Sequence, residues 1–318
     1  MNSKDCAIFY DENAFSIKTD KLMGRNSAGV SFLKGYFSHG TPKRFWVYAQ
    51  TTRDAQVFAD TLFRYGSKSD AQYINWNNFS KIKSPGNIFY PGPDFNKLAW
   101  QRRFVGETAW SICGITHTTS SAAVMDAIGD YYAAPVKSWD ALICTSSAVK
   151  ENVEFILERK KRYLQDEFDF KSFEHPKLPT IPLGINTKEF EFSKDDRVNA
   201  RSFFNIGNDT IVVVYVGRLS FHAKANPTPM YLAVEKAAQL NPIKKIMIIE
   251  CGWHSNDWIK KSFTELSNSL LNIVELIHVD GRDQDKVKMV WCSADIFCSF
   301  SDNIQETFGI SPIEAMAS

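Results

Sequence analysis

Short apolar runs alternate with longer amphipathic stretches from one end of the chain to the other, and this alternation restricts the fold more than any other feature. "CAIFY" (6–10), "RFWVYA" (44–49), "NIFY" (87–90), "SICGIT" (111–116) and "DALICT" (140–145) have the length and apolar content of buried strands. The stretches 27–39, 52–65, 120–132 and 146–165 between them read as helices. The pattern restarts with "IVVVYVG" (211–217) and runs through "KKIMIIE" (244–250), "NIVELIHV" (272–279) and "ADIFCS" (294–299). Helical stretches at 227–240, 255–271 and 283–292 separate these runs. Repeated strand–helix alternation predicts parallel sheets covered by helices on both faces.

One interruption divides the pattern. "LPTIPLGINTKEF" (178–190) is followed by a charged segment, "SKDDRVNARSFFNIGNDT", before the strands resume. With 318 residues the chain accommodates two domains of ordinary size. The expectation is an α/β protein of two Rossmann-like domains, residues 1–190 and 191–318, with the boundary near 185–200. Ligands of open α/β sheets bind at the carboxyl ends of the strands, so two such domains facing each other are expected to form a cleft there.

Composition removes several classes of function. Lys and Arg number 37 against 36 Asp and Glu, a net charge of +1, which gives no reason to expect nucleic acid as a partner. No run approaches the roughly 18 apolar residues of a membrane span. The opening "MNSKDCAIFYDENAF" shows no apolar signal core followed by a small-residue cleavage site, and a cytoplasmic location is the expectation. The 6 cysteines are scattered without a C-x-x-C pair, so free thiols are expected and neither a zinc site nor a disulfide framework.

Two segments at predicted strand ends carry chemistry. In "VGRLSFHAK" (216–224), Gly217 allows a sharp turn, and Arg218 and Lys224 leave the carboxyl end of the strand. Arg brings a planar fork of donors and Lys a mobile point charge, a pairing suited to a diphosphate; the alternative is two solvated surface cations. His222 between them reads as a loop residue. The closing "ETFGISPIEAMAS" (306–318) places Glu306 in a loop ahead of a predicted helix start. There Ser311 reads as N-cap, Pro312 as first helical residue and Glu314 as third, which leaves Glu314 open between a capping-box partner and a ligand group. A helix N-terminus favours phosphate, and a carboxylate can accept hydrogen bonds from sugar hydroxyls.

Taken together, "VGRL…K", "ETFGISPIEAMAS" and the linker "IPLGINTKEF" resemble glycosyltransferase family 4, retaining enzymes of the GT-B fold. "GRNSAG" (24–29) is similar to that family's glycine-containing acceptor-side loop, and "ALICTSSAVKENV" (141–153) to its strand-then-serine segment late in the first domain. The resemblance spans most of the chain and is weakest between residues 50 and 110. It implies that Arg218 and Lys224, following Gly217, neutralise the diphosphate of a nucleotide-sugar donor. It implies further that Glu306 meets the donor sugar with backbone N–H groups around Phe308, Gly309 and Ile310, and that Glu314 holds the ribose. Gly24 and Gly29 belong to the acceptor-side loop, and His117, closing "SICGITH", matches a histidine beside the reacting sugar. Ala225 departs from the family pattern, standing where glycine is common, and the loop from Arg218 to Lys224 is one residue longer than usual.

The function this resemblance implies is transfer of a sugar, with retention, from a nucleotide-diphosphate sugar to a hydroxyl acceptor: a saccharide, a lipid-linked saccharide or a small molecule. No cofactor is expected and no metal, the two cations standing in for one. A GT-B epimerase and a noncatalytic nucleotide-sugar-binding protein remain the alternatives. "QRRF" (101–104) and "ERKKRYL" (158–164) are candidates for an anionic acceptor or peripheral contact with the inner membrane face, against the simpler reading of solvated helix faces. "YPGPDF" (90–95) is expected as a turn-rich loop. The second domain is expected to be incomplete at Ser318, because it offers four strands where such domains have about five or six.

Overall fold

A computed structural model describes residues 5–17, 23–66, 70–224, 226–301, 303 and 306–318. The chain divides into two compact units, one holding the N-terminal strand and Gly24–Gly184, the other Ile185–Ser318.

The first unit is built on six parallel strands: β1 (Ala7–Tyr10), β2 (Phe45–Ala49), β3 (Ala71–Asn75), β4 (Asn87–Phe89), β5 (Ser111–Ile115) and β6 (Ala141–Ile143), in the order β3-β2-β1-β4-β5-β6. Helices α1 (Gly24–His39), α2 (Thr52–Arg64), α3 (Asn96–Val105), α4 (Ala122–Gly129) and α5 (Ser147–Phe168) connect them. Ile8 pairs with Val47 on one side and Phe89 on the other, which fixes the register of the central strands. Successive strand residues point to opposite faces. Ala7 and Tyr48 accordingly enter one core, with Phe95 and Tyr131, while Ile8 and Val47 enter the other, with Leu33 and Phe58. Two-sided burial is why these strands are near-continuous apolar runs.

The second unit repeats the plan with β7 (Ile211–Val216), β8 (Ile246–Gly252), β9 (Glu275–Asp280) and β10 (Ile296–Phe297), all parallel, in the order β10-β7-β8-β9. Its helices are α6 (Lys194–Phe203), α7 (Thr228–Leu240), α8 (Asp257–Leu270), α9 (Gln284–Ser293) and α10 (Ile310–Ala317). Val213 and Ile248 pack with α7 and α8 on one face, and Val212, Val214 and Ile249 with Trp291 of α9 on the other. An α/β architecture of two Rossmann-like units is thus established by both sheets.

Several expectations need correction. Residues 24–29, expected as a loop, form the first turns of α1. The predicted helix 120–132 is α4 followed by a 3-10 turn, Asp130–Tyr132, and the expected strand 294–299 forms a ladder over Ile296–Phe297 only. The charged segment after residue 190 contains α6, started by a capping box in which Ser193 and Asp196 satisfy each other's backbone N–H groups. "QRRF" is not a free cationic patch. Arg102 is buried and bidentate to Asp140 at 2.6 and 2.8 Å, and it also donates to the carbonyls of Trp110 and Pro135. "ERKKRYL" lies on α5, where Arg162 pairs with Glu158 and Lys160 with Asp130 across exposed surface.

Candidate donor site

In an open parallel sheet the loops diverge where the strand order reverses, and a crevice opens there beyond the carboxyl ends. The second unit reverses between β7 and β10, since β7 and β8 run outward in one direction and β10 lies on the other side of β7. The segments leaving this point after β7 and β10 hold Gly217, Arg218, Lys224, Glu306, Phe308 and Gly309, and Ile310 and Glu314 follow in α10.

Beyond β7 the chain stays tied to β8: Gly217 donates to the Cys251 carbonyl at 2.9 Å and Leu219 to the Trp253 carbonyl at 3.1 Å. A turn then closes with the Lys224 N–H on the Ser220 carbonyl, 3.1 Å. This turn aims Lys224 at the second loop, where its Nζ lies 2.5 Å from Glu306 Oε2. The Asn303 amide donates to the Lys224 carbonyl at 3.0 Å, and Glu306 N–H to the Asn303 carbonyl at 3.1 Å, so backbone as well as side chains join the loops. Both members of the pair keep about a quarter of their surface, 28% for Lys224 and 26% for Glu306. The Tyr215 hydroxyl donates to the Arg218 carbonyl at 3.3 Å and lies within electrostatic reach of Glu306, Glu250 and the Arg218 guanidinium. Burial pushes that hydroxyl up to about 12, so it is a neutral donor. Ala225, the departure noted in sequence, lies outside the described residues.

The start of α10 differs from expectation. Its N-cap is Gly309, in the left-handed region at φ 81°, and no side chain caps the helix. Ser311 is therefore inside the helix, and Pro312 occupies the third position. Proline is tolerated there because N–H groups of the first turn have no intrahelical partner. The capping-box reading of Ser311 and Glu314 is overturned. Glu314 is half-buried with no side-chain hydrogen-bond partner among the described residues, and desolvation raises its carboxyl to about 7. Phe308, Gly309 and Ile310 form the turn into this helix, and Gly309 lies against the Glu306 carboxyl group at 4.0 Å from where a Cβ would be.

His222 makes a 3.2 Å contact from its Nδ1 to Ser220 Oγ, within the loop and away from the ion pair. In the first unit, His117 follows β5 and interacts electrostatically with Arg25 in the first turn of α1. Burial, and secondarily that cation, lower the His117 pKa to about 4, so the ring is neutral near pH 7. Gly24 opens α1 with open space around it. Gly29 has a local reason to lack a side chain: a Cβ would stand 2.3 Å from the Ala14 carbonyl oxygen. "YPGPDF" packs on β5, with Phe95 buried against Gly114 and the Gly92 carbonyl accepting from Ile115 at 3.2 Å. Tyr215 and Glu250 were not singled out from sequence, because an aromatic and a terminal charge in strand-like runs carry no distinctive spacing.

Residues 196–318 match the family of glycosyl transferases group 1. That match covers β7 through α10, hence Gly217, Arg218, Lys224, Glu306 and Glu314 together. No curated protein matches the chain. Among solved structures, HepE of Anabaena in complex with UDP-glucose is similar at 15% identity and a TM-score of 0.61, covering 98% of this chain and 78% of that one. A glycosyltransferase of Rickettsia africae is similar at 13% identity and 0.61, covering 100% and 78%. The N-terminal domain of a Candida albicans trehalose-6-phosphate phosphatase aligns at 12% and 0.59, covering 98% and 81%. At these identities the likeness shows the fold alone.

Proposed function

We propose that this protein transfers a sugar, with retention of anomeric configuration, from a nucleotide-diphosphate sugar to a hydroxyl acceptor. The observation that carries the reading is the Lys224–Glu306 pair at the switch point of the second sheet, with Arg218 on the same loop as Lys224, inside the glycosyltransferase-matched region. HepE, which shares the fold, was crystallised with UDP-glucose, with UDP, and with UDP and glucose, which supports a nucleotide-sugar donor.

In this reading the diphosphate lies along Arg218 and Lys224. Charge-assisted donors there stabilise the negative charge that grows on the departing nucleotide, the kind of electrostatic preorganisation that lowers a transition state. Lys224, already held by Glu306, needs no large movement to meet a phosphate oxygen. Glu306 then turns its free lone pairs to the sugar, with N–H groups of the Phe308–Ile310 turn, while Glu314 accepts from the ribose hydroxyls. The incoming hydroxyl attacks from the face the diphosphate leaves, a departing phosphate oxygen taking its proton. The two cations serve in place of a metal. In the first unit, His117 and Arg25 lie at the carboxyl edge of the sheet, where neutral His117 can accept a hydrogen bond from an acceptor hydroxyl. Cytoplasmic location and contact with a membrane-borne acceptor belong to the same proposal.

A thermal-shift screen of UDP-, GDP- and ADP-sugars tests it, because a ligand for the folded state raises stability by mass action. One donor class should raise Tm, and release of its nucleoside diphosphate should depend on an acceptor. Turnover without acceptor would favour an epimerase. Binding with no released nucleotide under any acceptor would favour a noncatalytic binder.

A further inference from the structure

The 3-10 segment Trp76–Lys83 and helix α3 cover the same face of the first sheet, where Ile82, Leu98 and Ala99 share a core with Tyr48 and Ile88. They are tied side by side. Lys97 Nζ stands 4.7 Å from the centre of the Trp76 ring, and Tyr48, stacked on that ring, reaches Gln101 Oε1 at 3.3 Å. α3 buries Leu98, Ala99 and Arg102 and turns its other side outward. On that side stand Lys97, Trp100, Arg103 and Phe104, at the three- and four-residue spacing that aligns side chains on one helix face. Trp100 keeps 44% of its surface and Phe104 84%. The Arg103 guanidinium lies 5.7 Å from the centre of the Trp100 ring. Lys81 and Lys83, at the end of the 3-10 segment, are exposed as well.

A single exposed aromatic needs no explanation, but a cluster of them set among cations marks a contact surface. The charge here has one sign. From residue 71 to 105 the sequence holds one carboxylate, Asp94, against Lys81, Lys83, Lys97, Arg103 and the buried Arg102. Asp94 accepts from the Tyr90 hydroxyl in the loop before α3. Among the described residues the four exposed cations have no ion-pair partner, whereas Lys137 and Lys160 of the same unit are paired with Glu107 and Asp130.

This composition decides between occupants. The core of a protein–protein interface is depleted in lysine, because its ammonium is costly to desolvate there. A second copy of the chain would set the patch against itself and bring like charges together. An anionic bilayer suits every element of the face. Its phosphates meet the cations, and Trp100 and Phe104 enter the boundary between headgroups and acyl chains, where aromatic rings are favoured.

We propose that the outer face of α3, with the end of the 3-10 segment, is a docking surface for an anionic lipid bilayer. This deepens the membrane contact included in the proposed function by naming its surface. It does not depend on sugar transfer, since vesicle binding needs neither donor nor acceptor.

Flotation of the whole chain with vesicles of phosphatidylcholine, alone or mixed with phosphatidylglycerol, tests this. The mixed vesicles should bind the chain at least about tenfold more tightly, and high salt should remove the difference. Lys97→Glu combined with Arg103→Glu should weaken binding to mixed vesicles more than about thirtyfold. Phe104→Ala, at a position too exposed to support the core, should weaken it about tenfold. Arg159→Glu combined with Arg162→Glu on α5 changes the net charge equally and should leave binding within about twofold. No binding by the wild type, an equal loss in the α5 variant, or full binding by either α3 variant would overturn the proposal. So would a concentration-dependent dimer that Phe104→Ala disperses, which would give the face to a second copy. Nucleotide titration of the same samples reports separately on the donor site.

Discussion

The amino edges and the carboxyl edge of these sheets use charge in opposite ways. At the amino edge of the first sheet, Asp140, just before β6, accepts from Arg102, from the Ile112 N–H of β5 at 2.8 Å and from the Lys137 N–H at 2.9 Å. The second sheet repeats the device. Asp295, just before β10, accepts from the Val212 N–H of β7 at 2.8 Å and pairs with Arg197 and Arg201 of α6. Arg201 is further saturated by the carbonyls of Ser293, Gly207 and Thr210. Arg102 and Asp140 are fully buried and engaged by protein partners, and Arg201 nearly so, while the outer Arg197–Asp295 pair keeps 41% and 30% of its side-chain surface. At the carboxyl edge of the second sheet, the Lys224–Glu306 pair remains about a quarter exposed, Glu314 has no side-chain hydrogen-bond partner among the described residues, and one oxygen of Glu250 receives no hydrogen bond. A saturated pair holds a fold together; an unsaturated one is available to bind.

This contrast is most exposed to failure at Asp140. Asp140→Ala leaves Arg102 as an uncompensated buried cation, and breaking such a pair costs about 3–5 kcal/mol. Urea denaturation should show that loss with nucleotide affinity unchanged in the folded fraction. A loss below about 1 kcal/mol would place this pair with ordinary surface ion pairs and erase the distinction.

Next in size is the pH dependence set by Glu250. Burial raises its carboxyl from 4.5 to about 7, so the unfolded chain gives up this proton first as pH rises. The associated stability is present in acid and is lost between about pH 4.5 and pH 7, amounting to roughly 3 kcal/mol for a shift of this order. Glu250→Gln removes that titration. Stability profiles from pH 5 to pH 8 should therefore descend less steeply in the variant, and parallel profiles would show that the carboxyl is already ionised in the fold.

The fold was largely legible because two-sided burial writes parallel strands as apolar runs. Where burial was one-sided or absent, the signal failed. β3, "AQYIN", is an edge strand with a single buried residue, Ile74, and was missed. α6 buries only Ala200 and Arg201, so its charge read as linker. α3 hides its key residue, Arg102, behind a sequence that reads as a basic patch. The candidate residues Arg218, Lys224, Glu306 and Glu314 stood out in the sequence through their positions after strands and through the family likeness, and the structure pairs two of them, Lys224 and Glu306. Glu250 did not, because its burial, with the Tyr231 hydroxyl on one oxygen and no hydrogen bond to the other, arises only in three dimensions.

Smaller effects separate the two site glutamates. Glu306→Gln should lower turnover more than nucleotide affinity, whereas Glu314→Ala should mainly weaken the nucleotide. With its carboxyl raised to about 7, Glu314 gains its charge between pH 6 and pH 8, so affinity for a UDP-sugar, which has no phosphate titrating there, should increase over that range. That increase should vanish in Glu314→Gln. Its persistence would assign the titration to another group.

The central claim is that the switch point of the second sheet binds a nucleoside diphosphate through Arg218 and Lys224, and calorimetry with UDP, GDP and ADP tests it directly. One of these nucleotides should bind the wild-type chain, and Arg218→Ala and Lys224→Ala should each cost about 1.5–3 kcal/mol of affinity, or roughly 10- to 150-fold, while leaving Tm nearly unchanged. Undiminished affinity in both variants, or no binding of any of the three by the wild type, would contradict the account.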